Sequence, residues 1–160
     1  MVSLEFLEDV EVFKGLSGSQ LTAVQECCQK KEFKQDAKLF DEGESADHLW
    51  IVMEGRIDLR CELPGLASSE ENTISSISAG GAIGWSCFVS PYKYRLSGYC
   101  ASGQCELIRI EKEHIIRLFE LDADVGYVVM SNMATVVGRR FNRLQDEIAR
   151  LRGQDAMSGW

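Results

Sequence analysis

The chain has 160 residues, 45% hydrophobic and 26% charged with two prolines. That is the size of one domain able to bury a core, outside the collagenous, low-complexity and disordered classes. Seventeen Lys and Arg against 25 Asp and Glu give a net charge of -8, which speaks against a nucleic-acid or anionic-lipid surface. No apolar run approaches the roughly 20 residues of a membrane span, and Met1 to Asp9 carry acids where a signal peptide has a basic head. A cytoplasmic protein with no membrane partner is expected. Its six cysteines, Cys27, Cys28, Cys61, Cys87, Cys100 and Cys105, are then reduced by default.

In chain order, Leu4 to Lys14 reads as a short helical arm with Leu7, Val10 and Phe13 inward. Ser17 and Gln20 stand at capping-box spacing, and Leu16 can staple onto Leu21; a helix to about Lys31 follows, with Leu21, Val24, Cys27 and Cys28 near the core. From Phe33 to Glu111 short runs rich in Ile, Val, Trp and Leu are punctuated by glycines, an all-β texture that fits a sandwich, barrel or jelly roll. Strict alternation in Arg56 to Leu63 places Ile57, Leu59, Cys61 and Leu63 on one face and charge on the other, and Glu54-Gly55 joins this run to a Leu49 to Met53 strand. Cys100 and Cys105 flank Ala101 to Gln104, read as a hairpin across which they face each other.

After Ile110 the β texture stops. Glu111 to Leu121 reads as a short helix, and Asp122 as the N-cap of a long one. Met130, Ala134, Val137, Phe141, Leu144, Ile148 and Leu151 recur at spacings of 4, 3, 4, 3, 4 and 3, a coiled-coil seam, with Arg140 and Glu147 at flanking positions and Gly153 as the stop. The part beyond Val137 would leave an apolar stripe in water, so a homodimer through Val137, Phe141, Leu144, Ile148 and Leu151 is expected. Arg139, Arg140, Arg143, Arg150 and Arg152 are spread over several faces with acids between them, a solvated flank rather than a phosphate track.

This order of elements, with Phe13-Lys14-Gly15-Leu16-Ser17, Leu39-Phe40-Asp41-Glu42-Gly43-Glu44 and Asp47-His48-Leu49-Trp50-Ile51-Val52-Met53-Glu54-Gly55, resembles the cyclic-nucleotide-binding domain superfamily, as in the sensor half of Crp/Fnr-type bacterial regulators. The resemblance covers about residues 6 to 152. It implies a mainly β fold with flanking helices in one domain, 1–160: N-terminal helices over 1–32, a β-roll (jelly roll) over 33–111, and C-terminal helices over 112–153 that end in a long dimerisation helix.

The ligand site of that family is a phosphate-binding cassette, a Gly-Glu followed about ten residues later by Arg and a small residue. Here the segment runs from Gly84 to Ser97, and Trp85 stands where the family has the Glu that accepts the ribose 2'-hydroxyl; an indole N–H donates and cannot accept in its place. The cassette Arg corresponds to Arg95, with Lys93 as the other candidate, and Leu96 or Ser97 to the small residue. Gly84-Trp85-Ser86 followed by Pro91-Tyr92-x-Tyr94 is similar to a variant bacterial branch. The expected site is a pocket for a small anion other than cyclic AMP, built from Gly84, Trp85, Ser86, Cys87, Tyr92, Lys93, Tyr94 and Arg95. Its alternative is a pocket filled by Trp85.

An enzyme is not expected. Jelly-roll oxygenases need a dense His and carboxylate cluster, and the histidines here are His48 and His114 alone, with no H-x-H, G-x-S-x-G or P-loop pattern; no metal site is expected either. In Crp/Fnr-type regulators the seam helix leads into a helix-turn-helix domain, whereas here Gln154 to Trp160 follow it. A sensor without direct nucleic-acid contact is therefore expected, signalling through its dimer or a protein partner. The alternatives are a ligand-free dimerisation or docking module, and a redox or haem sensor using Cys100 and Cys105, or His48 or His114.

Overall fold

The structure, a computed structural model, describes residues 1–158. Helix α1 (Leu4–Asp9) is capped by Ser3, whose Oγ accepts from the Phe6 N–H at 3.2 Å. Helix α2 (Gly18–Glu26) opens on the expected capping box: Ser17 Oγ accepts from the Gln20 N–H at 3.3 Å, and Gln20 Oε1 accepts from the Ser17 N–H at 2.9 Å. The helix ends five residues before Lys31. Strand β1 (Cys28–Lys34) begins there and pairs antiparallel with β8 (Gln104–Glu111), from Cys28 opposite Ile110 to Lys34 opposite Gln104. A ladder to a partner so distant in sequence overrides the local helical spacing that carried α2 on through Cys28.

Between them lie β2 (Lys38–Phe40), β3 (His48–Glu54), β4 (Ile57–Arg60), β5 (Thr73–Ile77), β6 (Ala82–Ile83) and β7 (Ser97–Cys100). They form two four-stranded antiparallel sheets, ordered β1-β8-β3-β6 and β2-β7-β4-β5. Consecutive strands β3 and β4, and likewise β7 and β8, lie in opposite sheets, so their connections are corners of a β-roll and not hairpins. Gly55 turns one corner at φ 88°, and a Cβ there would come within 2.6 Å of Ser102 Oγ and 2.7 Å of Gln104 O, at the other corner. Only glycine lets the two corners stack. Cys100 ends β7 and Cys105 lies in β8; they are joined by a disulfide, with Cα atoms 6.0 Å apart. The expected hairpin is thus a corner, and the corner brings the two strand ends within bridging distance.

Ile57 and Leu59 of β4 face the core, but the alternation stops at Arg60: Cys61 is half-buried and Leu63 exposed. The opposite face of β4 is buried as well. Asp58 accepts from Ser76 Oγ at 2.7 Å and meets Arg56 Nε at 3.3 Å, and the Arg60 guanidinium lies 4.4 Å from the Tyr99 ring centroid. These partners offset part of the desolvation of two charged side chains on a strand, while Arg60 Nε is buried without a hydrogen-bond partner among the described residues.

Leu49 and Ile51 of β3 and Leu107, Ile108 and Ile110 of β8 are fully buried in one core cluster that also takes in Leu7, Val10 and Phe13 of the N-terminal arm. Helix α3 (Lys112–Leu121) follows β8, and α4 (Ala123–Ser158) runs for 36 residues. Asp122 caps α4, its Oδ1 accepting from the N–H groups of Asp124 and Val125. Val125, Val129, Met133 and Val136 face the core, and Asn132 Nδ2 donates to the Val12 and Lys14 carbonyls. Gly153 does not end α4, which continues to Ser158; an exposed helical glycine costs only about 1 kcal/mol. Among the described residues no helix is long and apolar enough to cross a membrane.

Candidate functional site

Gly84 leaves β6 at φ 95°, where a Cβ would meet His48 O at 2.7 Å. It turns the chain into a single 3-10 turn, Trp85–Phe88, closed by the Cys87 N–H donating to Gly84 O at 3.0 Å. The segment then loops out over Val89 to Lys93 and returns along the Gly43 to Ala46 turn: the Tyr94 N–H donates to Glu44 O at 2.9 Å, and Tyr94 O accepts from the Gly43 N–H at 2.8 Å. Tyr94 is buried, its hydroxyl accepting from Trp50 Nε1 and donating to His48 O, both at 3.1 Å, and its ring stacks on Phe40 at 3.9 Å between centroids. The stack is a rigid wall. Loss of solvent pushes the Tyr94 hydroxyl pKa up to about 12.

A cavity of about 220 Å³ opens between this segment, the β2-β7-β4-β5 sheet and α4. The sheet contributes Phe40, Leu59, Ile74 and Ser75; the segment contributes Ile83 to Ser86 and Tyr94 to Leu96; α4 contributes Val137, Arg140, Phe141 and Leu144. No carboxylate lines it. Ser86 is 5% exposed, and its hydroxyl has no hydrogen-bond partner among the described residues. Arg95 is exposed and makes no ion pair there.

Arg140, by contrast, is committed: it donates to Ala82 O at 2.6 Å and lies 3.6 Å from Glu11 Oε1, and burial lowers its pKa from the ordinary arginine value. Arg143 donates to Ser75 Oγ at 3.0 Å. These two arginines fasten α4 across the mouth of the roll. They therefore act on its own β-roll, and not merely as the solvated coiled-coil flank that their spacing implied.

Of the residues expected to form the site, Gly84, Trp85, Ser86, Tyr94 and Arg95 come together on the cavity wall. Cys87 points into the core behind it, its thiol pushed up to about 12 by burial. Tyr92 and Lys93 sit on the outer loop instead: Lys112 Nζ lies 3.7 Å from the Tyr92 ring centroid, and exposed Lys93 bridges to Ser45. Their neighbours in sequence line the cavity, but the loop reverses between them. Sequence reasoning missed the walls from Phe40, Leu59, Ile74 and Ser75, which reach the site only through sheet pairing, and it missed the anchoring role of Arg140.

The seam residues form a face of α4 distinct from the buried one. Phe141 is 58% exposed, Leu144 37%, Ile148 53% and Leu151 47%, while Val137 is half-buried. Val137, Phe141 and Leu144 border the cavity as well. His48 lies in β3 with its ring 5.9 Å from Trp50, and His114 in α3 approaches Glu111 at 3.6 Å. Among the described residues no group of three or more His, Cys, Asp or Glu is placed to hold a metal ion.

A two-sheet roll with a Gly-led turn and a covering C-terminal helix defines a class of regulatory ligand-binding domain. The family profile of the cyclic nucleotide-binding domain matches residues 30–122, and the chain belongs to that family. Among solved structures, it is similar to a protein of Geobacter metallireducens GS-15 assigned as cyclic nucleotide-binding, with 26% identity, a TM-score of 0.75 and coverage of 88% of this chain and 99% of that one. A cyclic nucleotide-binding domain from Methylobacillus flagellatus KT matches at 20% identity and TM-score 0.75, over 91% of this chain and 80% of the other. The catabolite activator protein of Thermus thermophilus shares the fold at 19% identity and TM-score 0.70, over 88% of this chain and 62% of that one. No curated protein sequence matches.

Proposed function

We propose that this chain is a cytoplasmic, non-enzymatic sensor module that binds a small anion other than cyclic AMP and signals as a homodimer through α4 to a protein partner, without itself contacting nucleic acid. The observation that carries the reading is the cavity, which stays open beside Trp85 and presents, among its uncommitted polar groups, the Ser86 hydroxyl and the Arg95 guanidinium. A collapsed module would have filled this space with Trp85. Arg supplies a planar fork for two oxygens of an anion, and α4, which borders the cavity, is the element whose angle a ligand would bias.

Small molecules released from the purified protein and identified by mass spectrometry test the reading directly, and an anion is expected. Cyclic AMP is expected to bind weakly, because no carboxylate lines the cavity to accept the ribose hydroxyl. Loss of one charged hydrogen bond weakens affinity about tenfold to more than a hundredfold. Trp85→Glu is expected to improve cyclic AMP binding in calorimetry; micromolar or tighter affinity in the parent protein would overturn this account of Trp85.

A further inference from the structure

We infer that the ligand is an amphipathic monocarboxylate, a single carboxylate on a compact apolar body. The inference rests on the cassette reading above and adds the chemical class. The wall is built almost wholly from hydrocarbon and aromatic rings: the Phe40–Tyr94 stack on one side, Leu59, Ile74 and Ile83 from the strands, and Phe141 from α4. A hydrophilic body placed there would lose its hydration without partners. The Tyr94 hydroxyl is already satisfied by Trp50 and His48, and Arg140 by Ala82 O and Glu11, so neither is left to solvate a sugar.

Among the described residues the uncommitted polar side chains on the wall are the Arg95 guanidinium and the Trp85 indole N–H, which only donate, and the Ser86 hydroxyl, which donates or accepts. With two donor-only groups, one hydroxyl and no carboxylate acceptor, the wall favours a head made of acceptor oxygens over one rich in hydroxyls. Among the described residues Arg95 is the one uncommitted cation on the wall, which matches one negative charge and falls short of the two on a phosphate monoester. The cavity, about 220 Å³, lies below the ~300–1,000 Å³ of drug-sized sites, which limits the body to one ring system or a medium-length chain.

Calorimetry on the full chain with acetate, butyrate, hexanoate, octanoate, phenylacetate and indole-3-acetate tests the class, beside 1-octanol, inorganic phosphate and cyclic AMP. Affinity is expected to rise about fourfold per methylene until the cavity is full, and octanoate should exceed 1-octanol by at least about tenfold. Arg95→Ala should lower octanoate affinity by a similar factor. Ile74→Ser, at a half-exposed wall position outside the core, should flatten the chain-length trend without changing the far-UV circular dichroism. A flat trend in the parent protein, or no carboxylate binding at millimolar concentration, overturns the inference. Phosphate binding more tightly than every carboxylate, and weakened by Arg95→Ala, overturns it while the cassette reading stands; cyclic AMP binding more tightly than every other anion overturns both it and the exclusion of cyclic AMP. Binding of every anion unchanged by Arg95→Ala removes both the inference and the cassette reading.

Discussion

Gly84 does at one position what the whole cassette depends on. Its φ of 95° and the 2.7 Å that a Cβ would leave to His48 O mean that Gly84→Ala meets both backbone strain and a clash with main chain. A loss of more than about 1 kcal/mol in denaturant unfolding is expected, along with loss of the cavity's ligand. His48, on the other side of that contact, has a pKa lowered from 6.5, first by burial and then by the Arg109 charge. The unfolded chain therefore binds the proton more readily than the folded one. The stability this group contributes is complete above pH 6.5 and is lost as the pH falls through the folded value. An NMR titration of the His48 ring should show it less protonated than a free histidine at the pH where the free group is half protonated, and His48→Gln should reduce the fall in melting temperature between pH 7 and pH 5.5. Cys87, pushed up to about 12 by burial, should resist iodoacetamide in the native protein at pH 8 and react once unfolded.

At the scale of the element, α4 presents two faces. The face with Val125, Val129, Met133 and Val136 is buried in the chain's own core, whereas Phe141, Ile148 and Leu151 lie in solvent in the single chain. Phe141→Asp should therefore leave the monomer folded, since it removes no core contact, but place a charge in the seam of the dimer at a cost of several kcal/mol. Sedimentation velocity should show the parent as a dimer at tens of micromolar and the variant as a monomer; a monomeric parent would remove the dimer. The start of α4 depends on Asp122, whose Oδ1 takes two backbone N–H groups while Oδ2 accepts from Gln20 Nε2 at 3.3 Å. Asp122→Ala is expected to cost about 0.5–2 kcal/mol of stability.

For the whole molecule, the two corners that stack at Gly55 and Ser102 hold the sheets together on the side where Cys100 and Cys105 are joined. The bridge closes a short loop, so its reduction is expected to lower stability by about 2 kcal/mol, read as a lower denaturation midpoint in the presence of a phosphine reductant and matched by Cys100→Ser in the parent buffer. The cavity lies at another part of the roll, between the β2-β7-β4-β5 sheet and α4, with Arg140 and Arg143 tying the helix to Ala82 and Ser75. The cavity and the proposed dimer seam thus share one helix, because Phe141 and Leu144 border the cavity and belong to the exposed stripe.

What the sequence determined by itself was whatever depends on near neighbours in the chain. The capping box at Ser17 and Gln20, the cap at Asp122 and the seam spacing of α4 are set within a few residues, by hydrogen bonds and periodicities that local order records, while the cassette at Gly84 and its missing acid at Trp85 were legible only through the family resemblance. The tertiary structure alone decided what depends on partners far along the chain. It ended α2 at Glu26 because β8 pairs with Cys28–Lys34, and it made a corner of the apparent hairpin at Ala101 to Gln104 because its strands join different sheets. It sent Tyr92 and Lys93 outward while Tyr94 and Arg95 turned to the cavity, and it supplied Phe40, Leu59, Ile74 and Arg140 as walls. Proximity between strands that do not adjoin in sequence is fixed by burial of the common core, and burial leaves no mark on the spacing of any one segment.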